Sequence, residues 1–134
     1  MLLRPLMLLT LLLQSADTGG VAVTTDSATY AVGDPIQVTI ANNSGDRITR
    51  GGLDCDDLWP LALEQLDADG NWQLVPAPQH NCIGITATLI SPGQTQMRTL
   101  SLVLDPGTYH VVYAYTDVDT QSQDVAVSDP FDVS

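Results

Sequence analysis

The chain contains no lysine. Arg4, Arg47, Arg50 and Arg98 are its only basic residues, set against 16 acidic ones, and the formal charge is -12 over 134 residues. Such a balance excludes nucleic acid as a partner, because phosphates are neutralised by clustered Lys and Arg. The same negative field disfavours an anionic membrane surface. Glutamate is nearly missing too, since every acid except Glu64 is an aspartate. Asp favours turns and caps over helix interiors, so long helices are not expected. Excess Asp without Lys also fits a high-salt organism or a bias in base composition. No apolar run approaches the roughly 20 residues that span a bilayer; Leu6 to Leu13 is far too short. His80 and His110 are the only imidazole bases, and no Gly-x-Ser-x-Gly elbow accompanies them, so the chain is not expected to be an enzyme.

What is present at the start has the organisation of a signal peptide. Arg4 precedes the short leucine-rich run, and Gln14 to Gly20 turns small and polar. The expected division is a cleaved leader over 1–20 and one domain over 21–134, secreted or held in the periplasm or cell envelope. No transmembrane segment is expected beyond the leader. Export makes the two cysteines legible: Cys55 and Cys82 are expected to form a disulfide.

The rest of the chain alternates short apolar-polar runs with turns. Val21–Asp26 suits a first strand, and Ile36–Ala41 alternates cleanly with Ile36, Val38 and Ile40 on the core face. Asn42–Asp46 ends that strand; its Asn42-Asn43-Ser44 sequon is explained sufficiently by the turn. Arg47–Leu53 reads as a poor edge strand or a loop. Leu61–Asp67 and Trp72–Pro76 form a hairpin around Asp67-Ala-Asp-Gly-Asn71. Gly84–Ile90 and Thr95–Leu104 follow, the latter with Leu100, Leu102 and Leu104 inward. Leu104-Asp-Pro-Gly-Thr-Tyr109 then feeds a strand whose Tyr109, Val111, Tyr113 and Tyr115 share one face. Pro106 and Gly107 make the turn, and Tyr109 sits where a tyrosine corner would bond back to it. Val125–Val133 is a closing strand broken near Pro130. These seven to nine short strands without a long helix imply an all-β, two-sheet antiparallel sandwich.

Five motifs in order carry a resemblance. They are Tyr30-x-x-Gly33-Asp-x-Ile36-x-Val38-x-Ile40-x-Asn42, Asp69-Gly70-x-Trp72-x-x-Val75-Pro76 after Leu63-Glu64, Pro92-Gly93, Leu104-x-Pro106-Gly107-x-Tyr109, and Ser128-x-x-Phe131-x-Val133. Together they resemble the bacterial immunoglobulin-like domains of exported proteins and lipoproteins. A looser similarity is to the bacterial intracellular proteinase inhibitor family. The resemblance implies an immunoglobulin-like sandwich acting as an adhesion, spacer or binding module. Val111 stands where antibody-type domains have their second cysteine, so the staple at Cys55 and Cys82 is expected to tie together the loops that flank the central hairpin.

Three functional expectations follow. The first is a monomeric, non-catalytic binding or structural module whose partner is a protein or envelope component. The second is a proteinase inhibitor that presents Pro76–Cys82, constrained by the disulfide. The third is a calcium-stabilised surface domain. Asp67, Asp69 and Asn71 resemble the start of a calcium loop, although the closing bidentate glutamate is missing. Asp54, Asp56 and Asp57 could share an ion with Asp117 or Asp119 if their loops meet. No other cofactor is expected. Trp72 and Trp59 are expected in the core, and Trp72, Gly107 and Tyr109 as structural residues.

Overall fold

The computed structural model describes residues 17–18, 20–82 and 84–134, so most of the expected leader lies outside the described residues. Twelve strands and no helix make up the described chain. They are β1 Asp17–Thr18, β2 Val21–Thr25, β3 Thr29–Tyr30, β4 Ile36–Asn42, β5 Ile48–Leu53, β6 Ala62–Leu66, β7 Trp72–Leu74, β8 Ile85–Ile90, β9 Thr95–Leu100, β10 Gly107–Asp117, β11 Gln123–Val127 and β12 Phe131–Val133. The smaller sheet runs β1-β2-β4-β9. The larger runs β3-β12-β10-β5-β8, with β11 and β6 also on β10 and β7 beyond β6.

The larger sheet is organised around β10, which is long enough to take two partners on each side. β12 and β11 follow one another along one edge, β6 and β5 along the other. Its pleat sends Tyr109, Val111, Tyr113 and Tyr115 inward, and all four are buried. From the smaller sheet Val21, Val23, Ile36, Val38 and Ile40 meet them, and Ile48, Leu63, Ile90 and Phe131 complete one apolar cluster. Each such side chain contributes about 1.5–3 kcal/mol by leaving water.

Several expectations are corrected. The strand count exceeds seven to nine because the structure adds pieces of two or three residues, such as β1 and β3. The sheets are mixed, not purely antiparallel: β3 pairs parallel to β12. Arg47–Leu53 is neither loop nor edge, since β5 lies between β10 and β8; the polar reading missed that Ile48 alone anchors it in the core. Thr95–Leu104 keeps ladder pairing only to Leu100, after which Leu102 and Leu104 still turn inward. The closing segment divides into β11 and β12 on either side of Pro130, where Ser128 takes over. Its Oγ accepts from Val111 N–H at 2.9 Å while its own N–H donates to the Val111 carbonyl at 2.9 Å.

Candidate functional site

Gly107 opens β10, and the Tyr109 hydroxyl donates to the Asp105 carbonyl at 2.6 Å. The hydroxyl closes the turn that precedes its own strand, the arrangement of a tyrosine corner. Burial raises the Tyr109 pKa, so the phenol stays a donor at neutral pH.

Cys55 and Cys82 are joined, their Cα atoms 4.1 Å apart. The two loops they tie also pair through the backbone. Asp57 N–H donates to the Pro78 carbonyl at 3.0 Å and His80 N–H to the Cys55 carbonyl at 3.0 Å. Val75 and Ala77 pack on the core, whereas Pro76, Pro78, Gln79 and Asn81 are exposed. The result is an exposed loop anchored along both sides. His80 lies 3.4 Å from Asp54 and 3.8 Å from Asp57. Its pKa is raised, chiefly because Nδ1 donates to the Asn81 carbonyl and also because those carboxylates favour the cation.

Trp72 is not in the core. It lies half-buried on the outer face of the larger sheet, its ring stacked on His110 at a centroid distance of 3.6 Å and an angle of 17°. His110 points outward, as alternation requires, yet it is buried because Trp72 covers it. Its Nε2 lies 2.6 Å from Glu64 Oε1 on β6, directly across the ladder. Trp59 is half-exposed as well. The burial expected of a tryptophan is met here by covering a polar pair rather than by entering the core.

The aspartates divide into two groups. Asp67 Oδ1 accepts from the N–H of Asp69 at 2.9 Å and of Asn71 at 2.8 Å, and Oδ2 accepts from Gln73. Those bonds, the one from Asn71 first, lower its pKa and occupy its oxygens in closing the hairpin. Asp117 and Asp119 do not meet Asp54, Asp56 and Asp57. The six residues of β5 separate the two groups, since Asp117 lies opposite Ile48 and Asp54 follows Leu53. They gather instead with Asp46, with one carboxylate oxygen from each within 4.8 Å of the others. Asp46 and Asp117 share a hydrogen bond that raises the Asp46 pKa. Asp117 is desolvated too, but N–H groups and the bond with Asp46 hold its pKa below the usual value. Asp46 was missed because its turn context explained it completely.

Asn42 is fully buried, and its Nδ2 donates to the carbonyls of Asp46 and Ile90, both at 2.8 Å. The sequon asparagine is thus part of the fold. An open cleft of about 460 Å³ lies against Thr49–Gly51, Ala114–Thr116 and Gln123–Val125. It follows the stretch of β10 between Val112 and Thr116, which pairs with neither β6 nor β5.

No protein-family model matches this sequence, and no curated protein matches it. Among solved structures, the chain is similar to the Northeast Structural Genomics Consortium target SoR45, at 19% identity over 75% of this chain and 68% of that one, with a TM-score of 0.49. It is also similar to the Pseudomonas fluorescens alkylpurine DNA glycosylase AlkC, at 14% identity over 94% of this chain but only 33% of that one, TM-score 0.44. The PapD-like domain 7 of human CEP192 is 11% identical over 87% of this chain and 83% of that domain, TM-score 0.41. At these scores none of the likenesses fixes a fold family.

Proposed function

We propose that the chain is an exported, non-catalytic binding module built as an immunoglobulin-like sandwich, with a protein or envelope component as its partner. The tyrosine corner and the two sheets around one core support the fold reading. The disulfide is compatible with an extracytoplasmic location. One observation carries the binding role: the outer face of the larger sheet leaves Leu53, Leu66, Leu74, Leu89 and Val125 between 36% and 67% exposed. Large apolar side chains gathered on one sheet face, with Trp72 among them, are the makings of a contact surface. A photo-crosslinker at position 74 or 89 should trap a discrete partner in the envelope of the exporting cell, and one at Thr24 should not. Equal or no adducts from both faces would remove the reading.

The anchored Pro76–Cys82 loop favours a second reading, proteinase inhibition. It predicts nanomolar inhibition in a protease panel that is lost in Cys82→Ser. The grouping of Asp46, Asp117 and Asp119 favours a third, calcium stabilisation. Here millimolar calcium should raise the melting temperature at low ionic strength, and Asp46→Asn should abolish that rise.

A further inference from the structure

β10 has strands along both sides, and on one side the row is interrupted. Val111 N–H donates to the Ser128 hydroxyl and its carbonyl accepts from Ser128 N–H, while Asp117 N–H donates to the Ser122 carbonyl. These residues turn their main-chain groups toward β11. Main-chain groups alternate in direction along a strand, so Val112, Ala114 and Thr116 turn theirs the other way, toward β6 and β5. Val112 has its ladder partner in Ala62 and Thr116 in Thr49. Ala114, between them, has no ladder partner on that side. The same alternation runs along β5. Arg47 gives its carbonyl to Val118 N–H on the β10 side, and Asp54 N–H donates to the Gly84 carbonyl on the β8 side. Gly51 accordingly faces β10, but the ladder between these strands stops at Thr49, one bonded pair short of it.

The interruption is built into the sequence. Gly51 and Gly52 stand where β5 leaves β10, and Gly52 has φ 151°, a conformation that residues with a side chain rarely adopt. β5 stays paired with β8 as far as Leu53, so it bends away from β10 without leaving the sheet. The cleft of about 460 Å³ lies at this bend. Tyr113 and Tyr115 point inward, so Ala114 and Thr116 point to the outer face, and their register partners Val125, Gln123 and Thr49 share that face. Arg50, Tyr115 and Asp124 also border the cleft, but alternation sends their side chains to the opposite face. The side chains directed into it are therefore two hydroxyls, an amide and two apolar groups, with no charge among them, in a chain of formal charge -12. The Thr49 hydroxyl spends its proton on the Thr88 carbonyl at 2.6 Å and keeps its acceptor capacity.

Main-chain N–H and C=O groups are obligatory hydrogen-bonding groups. At the cleft Ala114 presents one of each from β10, and Gly51 one of each from β5. A water or a sugar hydroxyl meets such groups singly. An extended peptide meets them as sets, since one residue carries N–H and C=O on one edge and the next residue carries them on the other. We propose that the cleft binds a short, uncharged stretch of extended peptide, one residue pairing with Ala114 and the next with Gly51, against the side chains of Val125, Thr49 and Thr116. Because Val112 and Thr116 are already paired, the site takes no more than the length of the three residues between them. Val125 also belongs to the exposed apolar face, so the proposal deepens the binding reading above and rests on it.

The first arm of the test needs no ligand. In the free chain the Ala114 N–H should exchange with deuterium at least tenfold faster than those of Val112 and Thr116. Equal protection would mean that the ladder is closed, and would overturn the proposal. The probe is N-acetyl-Thr-Val-Thr-amide, titrated into the whole chain. It should shift the Gly51 and Ala114 amide resonances saturably in the millimolar range and slow exchange at Ala114. The same peptide N-methylated at its valine loses the central donor and should bind roughly fivefold more weakly. Maltose should leave both resonances in place. Gly51→Val directs a side chain into the cleft and should abolish binding of the probe, with unchanged amide resonances over β4 reporting an intact fold. Should that variant disturb the fold, Ala114→Leu fills the cleft from the other wall and should have the same effect. Non-saturating shifts, equal affinity for the N-methylated peptide, a matching response to maltose, or full affinity in the filled variants would overturn the proposal. The outer-face reading fails separately: envelope adducts at positions 74 and 89 without peptide binding in the cleft would leave that reading standing alone, and peptide binding without those adducts would do the reverse.

Discussion

The two flanks of this domain fill their inward positions differently. Where β2 and β4 face the front of β10, apolar side chains interdigitate and every inward position of β4 is buried. On β5, β8 and β9 the inward positions mix buried Ile48, Ile90 and Leu100 with Arg50, Thr88, Gln96 and Arg98, and Leu53, Leu89 and Met97 point out. Both flanks are built from strands of similar length with the same alternation. The difference shows that alternation alone sets which residues share a face, while the neighbouring strands decide which face is buried.

The sharpest test of this contrast compares neighbours in one register. Ile40→Ala removes a fully buried side chain and should cost about 2–5 kcal/mol in urea unfolding. Gln96→Ala, paired directly with it, should cost far less, because its amide oxygen has no partner to lose. Equal losses would break the comparison. Next in size is the staple: Cys55→Ser opens a loop of sequence separation 27 and should lower stability by roughly 3–4 kcal/mol in the chain-entropy model. Tyr109→Phe, on the packed flank, keeps the ring and loses the bond to Asp105. It should cost about 0.5–1.5 kcal/mol, read from the same denaturation curves.

On the polar flank the expected sign reverses. Arg50→Met combined with Gln96→Leu replaces unpartnered polar atoms with apolar ones, and thermal unfolding should show stability unchanged or raised by up to about 2 kcal/mol. A clear loss would mean that these polar groups belong to a structural network already satisfied. The smallest effect is expected at Asp46, just outside both flanks. Its pKa is raised on folding, so the folded state holds that proton more tightly than the unfolded chain. The resulting stability is fully present below the ordinary Asp value near 3.9 and is lost as pH rises through the raised value. Asp117 works the other way, its contribution being lost as pH falls through its lowered pKa. Asp46→Asn should therefore flatten the decline in melting temperature that begins just above the ordinary Asp range.

Much of the packed flank was legible beforehand. Ile36, Val38 and Ile40, the turn at Pro106-Gly107 and the inward set of β10 all follow from local pattern and turn chemistry. Tyr109 was visible for the same reason. Of the candidate sites, Asp67 lies in the turn that its Asp-x-Asp-Gly-Asn context predicts, and its oxygens are taken by that turn. Trp72 was misplaced because size and apolarity argue for burial without saying against what, and its partner His110 lies 38 positions away. The Asp46 group and the polar row on β5, β8 and β9 could not be read at all, since each depends on strands brought together from distant parts of the chain.

The sequence by itself determined that this protein is made of short strands and tight turns, that it is strongly acidic, and which side chains share a face along each strand. Those properties depend on residues within a few positions of one another. Only the tertiary structure decided that β5 is internal, that β3 runs parallel to β12, that tryptophan covers a histidine on the outer sheet face, and that Arg50 and Arg98 stand on core-facing positions with no acid at ion-pair distance among the described residues. The reason is physical: pleating is local, but burial belongs to whichever strand is packed opposite, and that neighbour is chosen by the whole chain.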